Sequence, residues 1–362
     1  MTLSKTMEPS LSDIGFIDNH LQRGILMINI KDVHTSLGSV KQLDIQKGDL
    51  SLSLLSYGAS IYRLSYKNRC VTVQPNTIED FMKANFFYGK TIGRTAGRLI
   101  LPSFRIDDNE YPITAYGGEK TKLHGGALGF SYRHFKLESY HENNESVDVV
   151  FSIVSPHMEE GYPGELTLFV TYTIDRHNTL NISFKATTTE DTLCNITNHI
   201  YVNLDGKNTI ENHTMSINSS TYIDVDHHII PRGKKDVSHT PFDLRQPTVL
   251  KEALSALKDT LIKGFDHAWL FDDKIGHINI SNSKKDIVLD VTTDYPAVVI
   301  FAHNIPTKDP IDYANHGIYS SLTLECQYEP SGIHYPGFNH AILRKDEIYH
   351  HFMKLHFSNH ES

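Results

Sequence analysis

Apolar and polar residues alternate with a period of two along most of the chain. Leu166, Leu168, Val170, Tyr172 and Ile174 alternate with Thr167, Thr171 and Thr173, the pattern of a strand with one face buried. Leu180, Ile182, Phe184 and Ala186 repeat it against Asn181, Ser183 and Lys185, and Asp175-Arg-His-Asn178 supplies the turn of a hairpin. Residues 148–154, 286–291, 297–302, 321–327 and 349–357 alternate in the same way. Helical spacing is clear in one place. Leu250, Leu254, Leu257 and Leu261 predict a helix, with Thr248 as its N-cap and Gly264 as its stop. Thr77-Ile-Glu-Asp80 predicts the cap of a second, short one. Many strands and few helices predict an all-β protein, a sandwich or barrel rather than a parallel α/β sheet. No internal repeat or low-complexity linker divides the chain. The expected organisation is a single domain over residues 41–362, preceded by an extension or edge segment over 1–40 whose order the sequence does not fix.

Composition narrows the function classes. At 39% hydrophobic and 21% charged residues, the chain reads as a globular protein with a real core. Its formal net charge of −9 repels phosphate backbones, so no nucleic-acid partner is expected. No apolar run approaches the roughly 18 residues of a membrane span. The first residues lack the basic and apolar regions of a secretory leader, so the cytoplasm is the expected compartment. Cys70, Cys194 and Cys326 are too few and scattered for a disulfide framework or zinc ribbon. The chain holds 22 histidines, but the adjacent pairs His227-His228 and His350-His351 point to opposite faces of any strand, which suits solvent better than shared ligation. Tyr88-Gly89-Lys90-Thr91 looks like the end of a phosphate loop, yet Ala84 stands where the upstream glycine is required. No metal and no cofactor are expected.

Three segments carry groups suited to chemistry. In Gly93-Arg-Thr-Ala-Gly-Arg98, followed by Leu123-His124-Gly-Gly126, glycines flank an arginine and a histidine, allowing close approach to a small ligand. A turn with solvated cations fits the same letters. In Cys194–Leu204, His199 and Tyr201 share one strand face, which lines either a polar groove or the wet side of an ordinary sheet. In Leu322-Thr-Leu-Glu325-Cys-Gln327, a carboxylate sits in a strand that reads as central, where it must be exposed, paired or functional. Phe265-Asp266-His267 adds another carboxylate and imidazole.

Taken in order, Gly93-Arg-x-Ala-x-Arg98, Leu123-His-Gly-Gly126, Gly161-Tyr-Pro-Gly-Glu-Leu166, Thr197-Asn-His199, the run from Tyr222 to Arg245, Phe265-Asp-His267 and Leu324-Glu325-x-Gln327 resemble the aldose 1-epimerase (galactose mutarotase) family from about residue 40 onward. The resemblance implies a large antiparallel β-sandwich, an isomerase exchanging the α and β anomers of galactose or glucose, and a small aldose as partner. It implies Glu325 as general base and His199 as general acid, with Arg98, His124 and Asp266 around the sugar hydroxyls. A monomer or homodimer is compatible with it, as are a disaccharide epimerase, a non-catalytic sugar-binding protein or a glycan hydrolase on the same scaffold. Three positions depart from the family pattern: Gly97 where many members have Asn, Val299 where some have Gln, and His303 where Gly is common. With ordinary pKa values, Glu325 is expected ionised near neutrality, and Asp266 is expected to hold His199 protonated.

Overall fold

A computed structural model of the protein describes residues 28–206, 209–305 and 317–359. Three antiparallel sheets dominate it, and only two α-helices, Ile78–Lys83 and Leu250–Leu257, are formed among the described residues. The large sheet has nine strands, in the order Lys136–Glu142, Ser146–Ser155, Leu166–Asp175, Thr179–Thr188, Tyr349–Ser358, Val288–Thr293, Gly276–Ser281, Thr214–Ile217 and Thr248–Val249. The predicted hairpin supplies its third and fourth strands. Asp175 accepts bonds from the amides of His177 and Thr179, and Asn178 adopts the left-handed conformation (φ 61°) that closes the turn. Phe151, Val170 and Phe184 lie directly opposite one another across three strands, and all three are fully buried.

A second sheet of five strands starts with the hairpin Ile28–Thr35 and Gly38–Lys47, which runs across residue 40. The third sheet is ordered Pro231–Asp236, Thr221–Val225, Asp266–Leu270, Ala297–Phe301, Glu325–Gln327. One core joins all three, with Leu52 and Leu64 from the second sheet, Phe151 and Phe184 from the first, and Trp269, Val298 and Ile300 from the third. Burying each such side chain stabilises the fold by about 1.5–3 kcal/mol. Ala297–Phe301 is buried at every position because Val298 and Ile300 face this core while Val299 and Phe301 face a cavity on the other side. That two-sided sheet is the platform of the site.

The helices follow local signals only in part. Thr77 caps the first as expected, its hydroxyl accepting from the amide of Asp80. The second ends at Leu257, short of the predicted Leu261, which is 80% exposed. Thr260 folds back on the carbonyl of Leu257 and terminates it. Thr248 pairs with Met215 as a strand residue, so Val249 takes the N-cap position. His227 and His228 sit in a turn with ring centroids 4.0 Å apart, not on opposite faces of a strand. No helix among the described residues is long and apolar enough to cross a membrane. The three cysteines are unpaired.

Candidate active site

The strand register brings His199 and Glu325 together. Tyr201 pairs with Thr323 in an antiparallel ladder, so two residues further along each strand His199 comes opposite Glu325 on the same face. His199 Nε2 lies 3.2 Å from Glu325 Oε1, and the two residues are 4% and 3% exposed. The backbone of His199 is held on its other edge. Its amide donates to the carbonyl of Lys90 (2.9 Å), and its carbonyl accepts from the amide of Gly89 (2.8 Å). Gly89 must be glycine: at φ 58° a Cβ would fall 1.9 Å from the carbonyl oxygen of Ile61. The fragment that mimics a phosphate loop is therefore the brace behind His199.

All five sequence-predicted residues, Arg98, His124, His199, Asp266 and Glu325, line one open-mouthed cavity of about 760 Å³. Leu123 pairs with Arg98 across a two-stranded ladder, and the next residue, His124, clasps Gly97 twice. Its amide donates to the Gly97 carbonyl (2.9 Å), and the Gly97 amide donates to its Nδ1 (3.2 Å). With Nδ1 accepting, a neutral His124 carries its proton on Nε2. Asp266 opens the strand Asp266–Leu270, directly opposite Phe301. Tyr201 stacks on the His199 ring at 5.0 Å, and Phe87 contacts the rings of His124 (4.6 Å) and His199 (5.5 Å). Phe86 and Phe87 are cavity residues that no motif marked, since an aromatic pair beside a turn carries no chemical signature. The segment Cys194–Leu204 is buried throughout, so the wet-sheet reading of it does not hold.

Arg94, the first arginine of its motif, is outside the cavity. It is buried and donates to the carbonyls of Ser155 (2.7 Å), Pro156, Pro163 and Gly164 (2.8 Å each), and to the Ser155 hydroxyl (2.9 Å). It thus clips the Gly93–Arg98 loop to the Gly161–Leu166 segment, and burial pulls its pKa down to about 10.

Burial governs the charges of the cavity. It pushes the Glu325 carboxyl well above its ordinary value, and the charge of Asp266 adds to this. It lowers His199 to about 3, with Lys90 and His303 acting in the same direction, and lowers His124 well below 6.5. Asp266 itself rises to about 6, restrained by Arg98. Burial thus disfavours the charged form of both groups, against the expectation that Asp266 holds His199 protonated. His124, His199 and Glu325 each offer a ligand atom within 4.8 Å of one another, a set that suits a zinc-like ion geometrically.

Fold and cavity together define a β-sandwich protein with a buried imidazole–carboxyl pair at the base of a small-molecule site. The sequence profile of the aldose 1-epimerase family matches residues 41–356, and the chain belongs to that family. Human galactose mutarotase is 33% identical over 337 residues, 89% of this chain and 95% of that one. An aldose 1-epimerase of Escherichia coli (strain K12) is 30% identical over 276 residues, 73% of this chain and 78% of the other. Among solved structures, the aldose epimerase homologue from C. elegans superposes with a TM-score of 0.78 at 26% identity, covering 92% of this chain and 99% of its own. The galactose 1-epimerase from Lactobacillus acidophilus, at 23% identity, shares the fold with a TM-score of 0.83 over 92% of this chain and all of its own.

Proposed function

We propose that this protein is an aldose 1-epimerase that exchanges the α and β anomers of a free aldose by opening and reclosing its ring. The observation that supports this most is the 3.2 Å approach of His199 Nε2 to Glu325 Oε1 inside a cavity shared with Arg98, His124 and Asp266. Anomer exchange takes a proton from the C1 hydroxyl and delivers one to the ring oxygen. A base and an acid must reach the two oxygens on C1 at once, within about 2.6–3.2 Å of the protons they move.

In the ion-pair form, Glu325 takes the proton of the C1 hydroxyl and His199 protonates the ring oxygen. C1 becomes an aldehyde carbon and the C1–ring-oxygen bond breaks. Rotation about the C1–C2 bond presents the other carbonyl face, and the two groups exchange roles to close the ring. No electron leaves the sugar, and the one proton held between the pair is restored at the end. Arg98, His124 and Asp266 hold the remaining hydroxyls, the charge-assisted bonds of Arg98 and Asp266 being worth about 1.5–3 kcal/mol each when well made. Holding the ring while C1 turns is the positional part of the catalysis. Polarimetry on freshly dissolved α-galactose and α-glucose tests the reading. The decay of rotation should be faster with the protein than with buffer alone, and an unchanged rate for every aldose tried would overturn it.

A further inference from the structure

His199 and Glu325 sit between two anchors that join their strands. On one side is the Tyr201–Thr323 ladder, two residues from each member of the pair. On the other, Asn195, four residues before His199, reaches the main chain of Tyr328, three residues beyond Glu325. Asn195 Oδ1 accepts from the Tyr328 amide (2.9 Å), and Nδ2 donates to the Tyr328 carbonyl (3.4 Å). The carboxamide thus makes the two bonds that a hydrogen-bonded residue of an adjacent strand would make. Between the anchors, the two segments pair with other strands. Thr197 and Asn198 pair with Ile92 and Thr91, while Glu325 and Cys326 pair with Val299 and Val298. The clasp therefore works with the ladder to set the spacing of the two reacting groups.

Asn195 also reaches a third segment. Its backbone donates to the carbonyl of Arg94 and accepts from the amide of Ala96 (2.8 Å each), which holds the loop leading to Arg98. Tyr328 is fixed in turn, its hydroxyl sharing a hydrogen bond with His351 Nε2 (3.1 Å) on the large sheet. Asn195 is buried and lies behind the residues that line the cavity.

We propose that Asn195 is a positioning residue, whose carboxamide clasp on Tyr328 holds Glu325 at reacting distance from His199. This rests on the epimerase reading and adds a group that acts through the pair rather than on the sugar. Asn195→Ala removes the clasp and leaves both backbone bonds in place. Polarimetry on freshly dissolved α-galactose and α-glucose should show kcat lowered by about 10- to 100-fold, the cost of misplacing a reacting group by about 1 Å. KM should change little. Asn195→Asp keeps the shape of the side chain. Protonated, it can make both bonds; ionised, it has no proton to give the Tyr328 carbonyl. Its kcat, relative to the unmodified protein, should be low wherever the introduced carboxyl is ionised and recover where it is protonated. The comparison runs from about pH 5 to 9, the span in which buried carboxyls titrate, with circular dichroism recording the folded fraction. Unchanged kcat in Asn195→Ala, or a rise in KM alone, would overturn the positioning role and leave the epimerase reading standing. Activity lost only in step with the folded signal in both variants would also overturn it, making Asn195 a purely structural residue. No acceleration of either sugar by the unmodified protein would overturn both readings.

Discussion

Replacing Asp266 by Asn should make the protein more stable above neutrality and a poorer catalyst. The carboxyl is lifted from its ordinary 3.8 to about 6, first by burial, against the opposing pull of Arg98. An acid whose folded pKa exceeds its unfolded one favours the fold while it is protonated. That contribution is complete below about pH 4 and is lost as pH rises through about 6. At about 1.4 kcal/mol for each tenfold, the displacement corresponds to roughly 3 kcal/mol at pH 7.5. Asp266 is only partly buried by surface area, so solvent screening reduces this to about 1–3 kcal/mol. The neutral amide also relieves Glu325, whose carboxyl the Asp266 charge pushes up, and this acts with the same sign. Urea unfolding of both proteins at pH 4.5 and pH 7.5 measures the effect. The variant's advantage should be larger at pH 7.5 by about 1–3 kcal/mol. Its kcat/KM should fall about 10- to 100-fold through loss of a charge-assisted bond to the sugar. The acid limb of the kcat/KM profile, rising through about pH 6 in the parent, should vanish with it. A stability difference that does not change between the two pH values would refute the assignment of this charge as buried.

Glu325→Gln and His199→Asn should each lower kcat by at least about 10²-fold while leaving the fold intact, checked by polarimetry beside circular dichroism. A fully active Glu325→Gln protein would remove the proposed base. Arg94→Ala strips the partners from carbonyls of two loops, so it should lower stability by about 3 kcal/mol or more in denaturant titration. Its KM should change more than its kcat, because Arg94 positions the loop and touches no substrate. Zinc ions should inhibit competitively with the sugar, through the ligand set of His124, His199 and Glu325, and a chelator should reverse this. Inhibition unaffected by sugar concentration would place the ion elsewhere.

Much of the fold was readable because one buried face per strand imposes a period of two, and the hairpin Leu166–Thr188 shows the pattern directly. The second helix was overextended because Leu261 keeps the heptad-like spacing after the backbone has already turned at Thr260. Each site residue was ambiguous alone, and the family order of the motifs is what joined them. Geometry now gives a separate reason. The Tyr201–Thr323 register carries His199 to Glu325, and the mutual bonds of Gly97 and His124 carry two loops to the same cavity. The aromatic wall of Phe86 and Phe87 and the brace at Gly89 and Lys90 stayed hidden. Their roles are set by backbone bonds of Gly89 and Lys90 to His199 and by ring contacts of Phe86 with Tyr201 and Phe87 with His199, all more than a hundred residues apart in sequence. The charge states departed from expectation because ordinary pKa values assume full hydration, and burial of these two groups disfavours both charges.

That departure bears on the chemistry. Burial that disfavours both charges also sharpens each charged partner as a reactant. A carboxylate whose conjugate acid is displaced well above 4.5 is a stronger base than one in water, and so better matched to a weakly acidic hemiacetal hydroxyl. An imidazolium whose pKa is drawn down to about 3 is a stronger acid toward a ring oxygen, which is a poor proton acceptor. Each displacement makes the charged form more reactive and also harder to populate, so the gain depends on the sugar stabilising the ion pair of these two side chains 3.2 Å apart. The ion pair needed for the reaction is only one internal proton transfer from the neutral pair, with no change in net charge. A sugar that donates its C1 hydroxyl to Glu325 stabilises the carboxylate form as it binds.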